Sequence, residues 1–178
     1  MPDYVAAHQI LDHFKEGFAH TAWRLETRRA YASDEALDEY QDFLKGVSPR
    51  PDPSDLWFTT IERLVSQGKR IERVRLADQP MTDGQRFLLA TTPENLAAGE
   101  DIRFLFRAEA STLDLPLFED FWLFDSRVLA RFNWGDPAQR LELTTDPRQV
   151  VAACQVRDAT WHYALRYEDH LARVPSPV

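Results

Sequence analysis

Between residues 121 and 134 the chain reads Phe-Trp-Leu-Phe, then Asp125-Ser126-Arg127, then an alternating apolar and polar run that starts at Val128. Two strand-like runs separated by three turn-forming residues predict a tight β-hairpin. Strands joined that closely can only pair antiparallel. Gly135-Asp136-Pro137 marks a further turn, and residues 141–144 read as the next strand. Whatever surrounds it, this stretch requires an antiparallel meander.

The remaining segments fill in around it. Ile10, Leu11, Phe14 and Phe18 are spaced for one face of a helix, and residues 23–27 alternate as a half-buried strand does. Ser33 is placed to cap a helix bearing Leu37, Tyr40 and Leu44, with Gly46 as its stop. Ser54 is placed to cap another, bearing Trp57, Ile61 and Leu64 and stopped by Gly68. A basic strand over 70–76 follows. Residues 83–90 fit strand or helix, and Thr92-Pro93-Glu94 reads as the start of a short helical turn. Ile102, Phe104 and Phe106 alternate with Arg103 and Leu105 in a further strand. Asp146-Pro147 opens the longest helix, with Val150, Val151, Cys154, Trp161 and Leu165 along one stripe. The expected fold class is α+β: a mostly antiparallel sheet of about five to six strands, helices on at least one face, and a long C-terminal helix. With no repeat or long linker, residues 1–178 read as a single domain whose tail, 174–178, is expected to fray.

Composition narrows the function classes. The apolar share is 44%, with 11 Phe and 5 Trp, enough for a packed core. A net charge of −8 argues against direct nucleic-acid binding, which draws on cationic contacts to phosphate. No stretch is apolar enough to span a membrane, and the N-terminus lacks a signal-peptide pattern, so a cytoplasmic protein is expected. The single cysteine, Cys154, excludes a disulfide framework and reads as a small buried hydrophobe.

Alternation places a set of charged residues on one sheet face. If Trp23, Val74, Phe104, Trp122 and Phe132 turn to the helices, then Arg24, Glu26, Arg73, Arg75, Arg103, Asp125 and Arg131 turn the other way. Guanidinium forks suit carboxylate or phosphate. The candidate binding residues are therefore Arg24, Glu26, Arg75, Arg86, Arg103 and Asp125, and the implied ligand is a small anion. The plainer reading is a salt-bridged sheet face. Glu119-Asp120 reads as a charged turn, while Glu100, at a strand entrance, is placed to orient Arg103. His8, His13, His20, His162 and His170 form no i, i+4 pair, so no metal site is expected, and no cofactor motif is present. Nucleophile-elbow and phosphate-loop patterns are missing as well.

At Gly99-Glu100-Asp101-Ile102-Arg103 and Phe121-Trp122-Leu123-Phe124-Asp125 the sequence resembles an actinobacterial family, domain of unknown function 6879. Arg24-Leu25-Glu26-Thr27 after Phe18, Arg73-Val74-Arg75, residues 83–87, Asn95-Leu96-Ala97-Ala98 and Asp158-Ala159-Thr160-Trp161 agree in order. One departure is Gly84, where the family usually carries Tyr. The resemblance implies an accessory factor encoded beside helix-turn-helix regulators, and it transfers no catalytic residue or cofactor. Two functions are expected on these grounds. The first is a non-enzymatic regulatory protein that binds a protein partner such as a helix-turn-helix regulator, an acidic surface masking a basic one. The alternative is a binding protein or enzyme for an anionic small molecule, using the Arg/carboxylate face.

Overall fold

The computed structural model describes residues 3–6, 9–136, 138 and 140–174, with only the backbone of Asp3 and Leu11. The expected fraying of 175–178, the side-chain placement of Leu11, His8, and the turn proline Pro137 lie outside the described residues. In chain order the elements are β1 (Asp3–Ala6), α1 (Ile10–Glu16), β2 (Thr21–Glu26), α2 (Ala32–Glu35), α3 (Asp38–Leu44), α4 (Leu56–Ser66), β3 (Arg70–Ala77) and α5 (Asp83–Ala97). Then come β4 (Asp101–Phe106), α6 (Arg107–Ala110), β5 (Phe121–Phe124), β6 (Val128–Phe132), β7 (Arg140–Thr144), α7 (Pro147–Tyr163), β8 (Leu165–Arg166) and α8 (Tyr167–Arg173).

Among the described residues, eight strands form one sheet in the order β1-β7-β6-β5-β2-β3-β4-β8. Five of its seven pairings are antiparallel, so the mostly antiparallel class holds. The expected five to six strands is too low. The two additions, β1 and β8, are edge strands of four and two residues, too short for a period to show. The meander β5-β6-β7 forms as its turn residues dictate: Asp125 and Ser126 both take positive φ, and Phe124 pairs with Val128 across them. In the middle, β2, β3 and β4 run parallel, joined through helices as parallel strands must be.

Helices cover both faces. On one, Phe14, Phe18, Ile61, Leu64 and Ala98 meet Ala22, Ile71, Trp122, Phe124 and Leu141. On the other, Val150, Ala153 and Val156 of α7, with Ala110 of α6, meet Trp23, Leu25, Val74, Leu105 and Leu123. A central strand buried on two sides needs no polar alternation, which is why Phe121–Phe124 is buried at every position.

Several helix expectations shift by local chemistry. The helix expected to run from Ser33 to Gly46 is two helices, α2 and α3, divided at Leu37, whose backbone is extended. Asp55, not Ser54, caps α4 by accepting from the Trp57 N–H. Residues 83–97 form one helix with Pro93 inside it. Thr82 and Gln85 close a capping box at its start, and Pro93 sits on the exposed side. In α7 the buried positions are Val150, Ala153, Val156 and Thr160, while Val151 is exposed and Cys154 half-buried. Gly84 is buried in the first turn of α5. A Cβ there would lie 2.7 Å from the Arg29 carbonyl oxygen and 2.8 Å from the Ala30 Cβ. The backbone of that loop occupies the space a tyrosine would require.

His170 of α8 is fully buried, stacked 4.5 Å from Phe104 and tilted against Phe106, with neither ring nitrogen hydrogen-bonded. Burial lowers its pKa from 6.5 to about 4. The unfolded chain therefore binds the proton first, and stability falls as pH drops from 6.5 toward 4. In urea titrations, His170→Phe should lose about 2 kcal/mol less than the native chain between about pH 7 and pH 5. Equal losses in the two proteins would mean that the ring is hydrated.

Candidate functional site

Parallel register sets the site. Arg24 of β2 lies beside Arg73 of β3, and Glu26 lies beside Arg75. All four side chains share the sheet face covered by α1, α4 and α5. Placing three guanidiniums there is costly unless carboxylates come with them, and two do. Glu26 accepts from Arg73 Nη1 at 3.0 Å and from Arg75 Nε at 2.6 Å. Glu100, between α5 and β4, accepts from Arg73 Nε at 2.5 Å, Trp57 Nε1 at 2.7 Å and Asn95 Nδ2 at 2.9 Å. Arg75 is completed by the Leu88 carbonyl at 3.0 Å and Thr92 Oγ1 at 2.8 Å. The Arg73 guanidinium lies 4.8 Å from the Trp57 ring centre and 5.2 Å from that of Trp122. Burial alone would raise the Glu26 pKa, but Arg75, Arg24 and Arg73 draw it far below the usual carboxylate range.

A second node stands beside the first. Buried Asp120 accepts from Tyr31 Oη at 2.6 Å and from the Thr27 N–H and hydroxyl at 2.7 and 2.5 Å. Burial, then the charges of Glu26 and Asp120, push the Tyr31 hydroxyl well above its ordinary pKa. Arg24 stands between the nodes, its Nε 3.3 Å from Glu26 Oε1 and its Nη2 3.9 Å from Asp120 Oδ2. Its guanidinium carbon lies 4.8 Å from the Phe132 ring centre, 5.5 Å from Trp122 and 5.7 Å from Tyr31.

Above these groups opens a cleft of about 550 Å³. Arg24, Glu26, Arg73 and Arg75 line it together with Trp57, Phe58, Phe87, Phe132 and Trp134, and with the carboxylates Asp34, Glu39, Asp52 and Asp55. Burial, then the nearby Glu26, raises the Asp34 pKa.

Of the residues expected to form a site, Arg24, Glu26, Arg75 and their neighbour Arg73 converge. Arg86, Arg103 and Asp125 do not join them. Arg86 is exposed on α5 and pairs with Asp83, one turn away. Arg103 turns to the α7 face, 3.7 Å over the Trp161 ring and paired with Asp101. Arg131 shares that face and pairs with Glu119. Asp125 ties the hairpin to β2 by accepting from the N–H groups of Ala19, His20 and Thr21 at 2.6, 2.8 and 2.8 Å. Glu100 serves Arg73 instead of Arg103, and Asp120 is a buried acceptor instead of a charged turn. Phe104, Trp122 and Phe132 share the arginine face instead of opposing it. Sequence reasoning missed Glu100, Asp120, Tyr31 and Trp57. The available signal was a charge count: buried arginines on β2 and β3 require carboxylates from elsewhere.

Glu26 ties two arginines, so Glu26→Gln should cost about 3 kcal/mol in urea unfolding, the scale of breaking a buried pair. Because Glu26 titrates below its ordinary 4.5 in the fold, its contribution is present above that pH and is lost as pH falls below it. The variant's unfolding free energy should therefore decline less steeply than the native chain's below about pH 4.5. An unchanged acid limb would assign the acid loss to other carboxylates.

No curated protein matches the chain in sequence. Among solved structures, the chain is similar to NucT from Helicobacter pylori, at 9% identity over 93% of this chain and 98% of that one, with a TM-score of 0.47. A likeness of that degree carries no functional argument. The family model "Domain of unknown function (DUF6879)" matches residues 9–172, which include every charged residue of the cleft. The chain therefore belongs to the domain of unknown function 6879 family.

Proposed function

We propose that this chain is a non-enzymatic, cytoplasmic accessory protein that binds a basic protein partner, of the kind a helix-turn-helix regulator presents. The observation that carries this reading is where the negative charge lies. Residues 31–56 hold seven carboxylates against Lys45 and Arg50, most of the net charge of the whole chain. Glu35, Asp38, Asp42, Asp52 and Asp55 are exposed there, beside the exposed side chains of Leu37, Leu44, Val47 and Leu56. Lys45 is already paired with Asp42. A surface of exposed leucine and valine within a carboxylate field suits an amphipathic segment with a cationic border. Such a partner would be kept from nucleic acid while its basic face is covered. Support for a non-catalytic role comes from the cleft, where neighbouring guanidiniums hold Glu26 ionised and make it a poor proton donor.

The test is calorimetric titration with a helix-turn-helix regulator from the same gene neighbourhood, at low and at moderate salt. Binding should weaken as salt rises, and Asp38→Asn with Asp42→Asn should reduce affinity about tenfold without changing the fold. Binding indifferent to both salt and these substitutions, or no binding at low salt, would sink this reading.

A further inference from the structure

Arg24 stands apart from the other two cleft arginines. Arg73 donates from all three of its nitrogens and Arg75 from Nε and Nη1, to Glu26, Glu100, Thr92 and the Leu88 carbonyl. Among the described residues, the Arg24 guanidinium makes no hydrogen bond at all, and its Nε is buried without a partner. The side chain is only 14% exposed, its charge balanced by Glu26 and Asp120 and its flat face stacked over Phe132. The buried Nε is costly to leave unmet, and the two Nη groups, also without a hydrogen bond, are not buried. Arg24 lines the cleft, so an acceptor on a bound molecule can reach it.

Charge decides what kind of acceptor. The floor holds Arg24, Arg73 and Arg75 against Glu26, Glu100 and Asp120, three of each sign. Asp34, Glu39, Asp52 and Asp55 stand around the cleft above it. A phosphate or carboxylate would enter a neutral floor through a negative opening, which Coulomb repulsion opposes. The anion expected from sequence is therefore disfavoured, although the arginine that motivated it is present. Flat walls at Trp57, Phe132 and Trp134 favour a planar ring, and cleft carboxylates favour N–H groups on it. We infer that the cleft is a binding site for a planar, uncharged ring bearing an amide or lactam, its carbonyl oxygen accepting from Arg24 and its N–H groups facing the cleft carboxylates. A nucleobase and a carboxamide-bearing pyridine share that chemistry. The cleft shares Leu37, Asp52 and Asp55 with the acidic surface proposed above, but the inference rests on Arg24, and substitutions at Arg24 test the cleft without touching that surface.

The experiment uses the full chain, with tryptophan fluorescence and calorimetry as readouts, because Trp57, Trp122 and Trp134 line the cleft. The probes are nicotinamide and uracil, each planar and uncharged, against nicotinate and inorganic phosphate. The uncharged rings should bind about tenfold or more tightly than nicotinate, and phosphate should produce no saturable change. Arg24→Met keeps the length and apolar stem but removes the donors, and should weaken the uncharged probes about tenfold or more. Should that variant fail to fold, Arg24→Lys retains the charge without the fork and should weaken them as well. Tighter binding of nicotinate or phosphate than of nicotinamide would overturn the inference and identify an anion site. No saturable binding of either uncharged ring, or equal affinity in the Arg24 variant, would also overturn it.

Discussion

The Glu26–Arg73–Glu100 chain of ion pairs is what allows β2 and β3 to lie side by side at the centre of the sheet. Each strand brings two long polar side chains to a face that is otherwise aromatic and closed by helices. Water reaches them only through the cleft, so the buried charge of Arg73 and Arg75 is met by oxygens inside the protein, while Arg24 is balanced by charge alone. Glu100 supplies part of this from outside both strands, at the junction of α5 and β4, and Trp57 reaches it from α4. The network therefore joins two helix-bearing connections, α4 before β3 and α5 after it, as well as two strands. The helices that cover the face are oriented by the same carboxylate that neutralises it.

Such a network explains where the sequence could be read and where it could not. Hairpins and caps are local, and their chemistry is written in adjacent residues: Asp125-Ser126-Arg127 turned, Asp146-Pro147 opened α7, and Gly46 and Gly68 ended α3 and α4 with positive φ. The parallel β2-β3-β4 core was not legible. Its middle strand, RIERVRLA, carries charge like a solvated edge, yet it is buried along most of its length. Periodicity reports alternation within a strand, and it is silent on which of two faces each alternate set will meet. Arg24, Arg73 and Arg75 were therefore grouped correctly, while Arg103 and Arg131 were assigned to their face when they belong to the other.

The candidate site was half legible for the same reason. Its cations and Glu26 come from strands, where spacing two apart gives a shared face. Its remaining acids and aromatics come from loops and helices distant in sequence: Tyr31 and Asp120 are 89 residues apart, and Trp57 and Glu100 are 43 apart. Pairing of that kind is set by tertiary topology. It could have been anticipated only as a demand, since buried arginines need partners, and never as particular residues.

The segment that walls the cleft is also the segment that carries the acidic surface. In residues 31–39, Tyr31, Ser33, Asp34 and Leu37 line the cavity, while Glu35 and Asp38 stand in solvent. No second layer separates inside from outside, and α2 is a single turn of four residues with none of them buried. The interior of the cleft and the charged exterior are two sides of one thin partition. Leu37 belongs to both at once, lining the cavity and standing on the exterior.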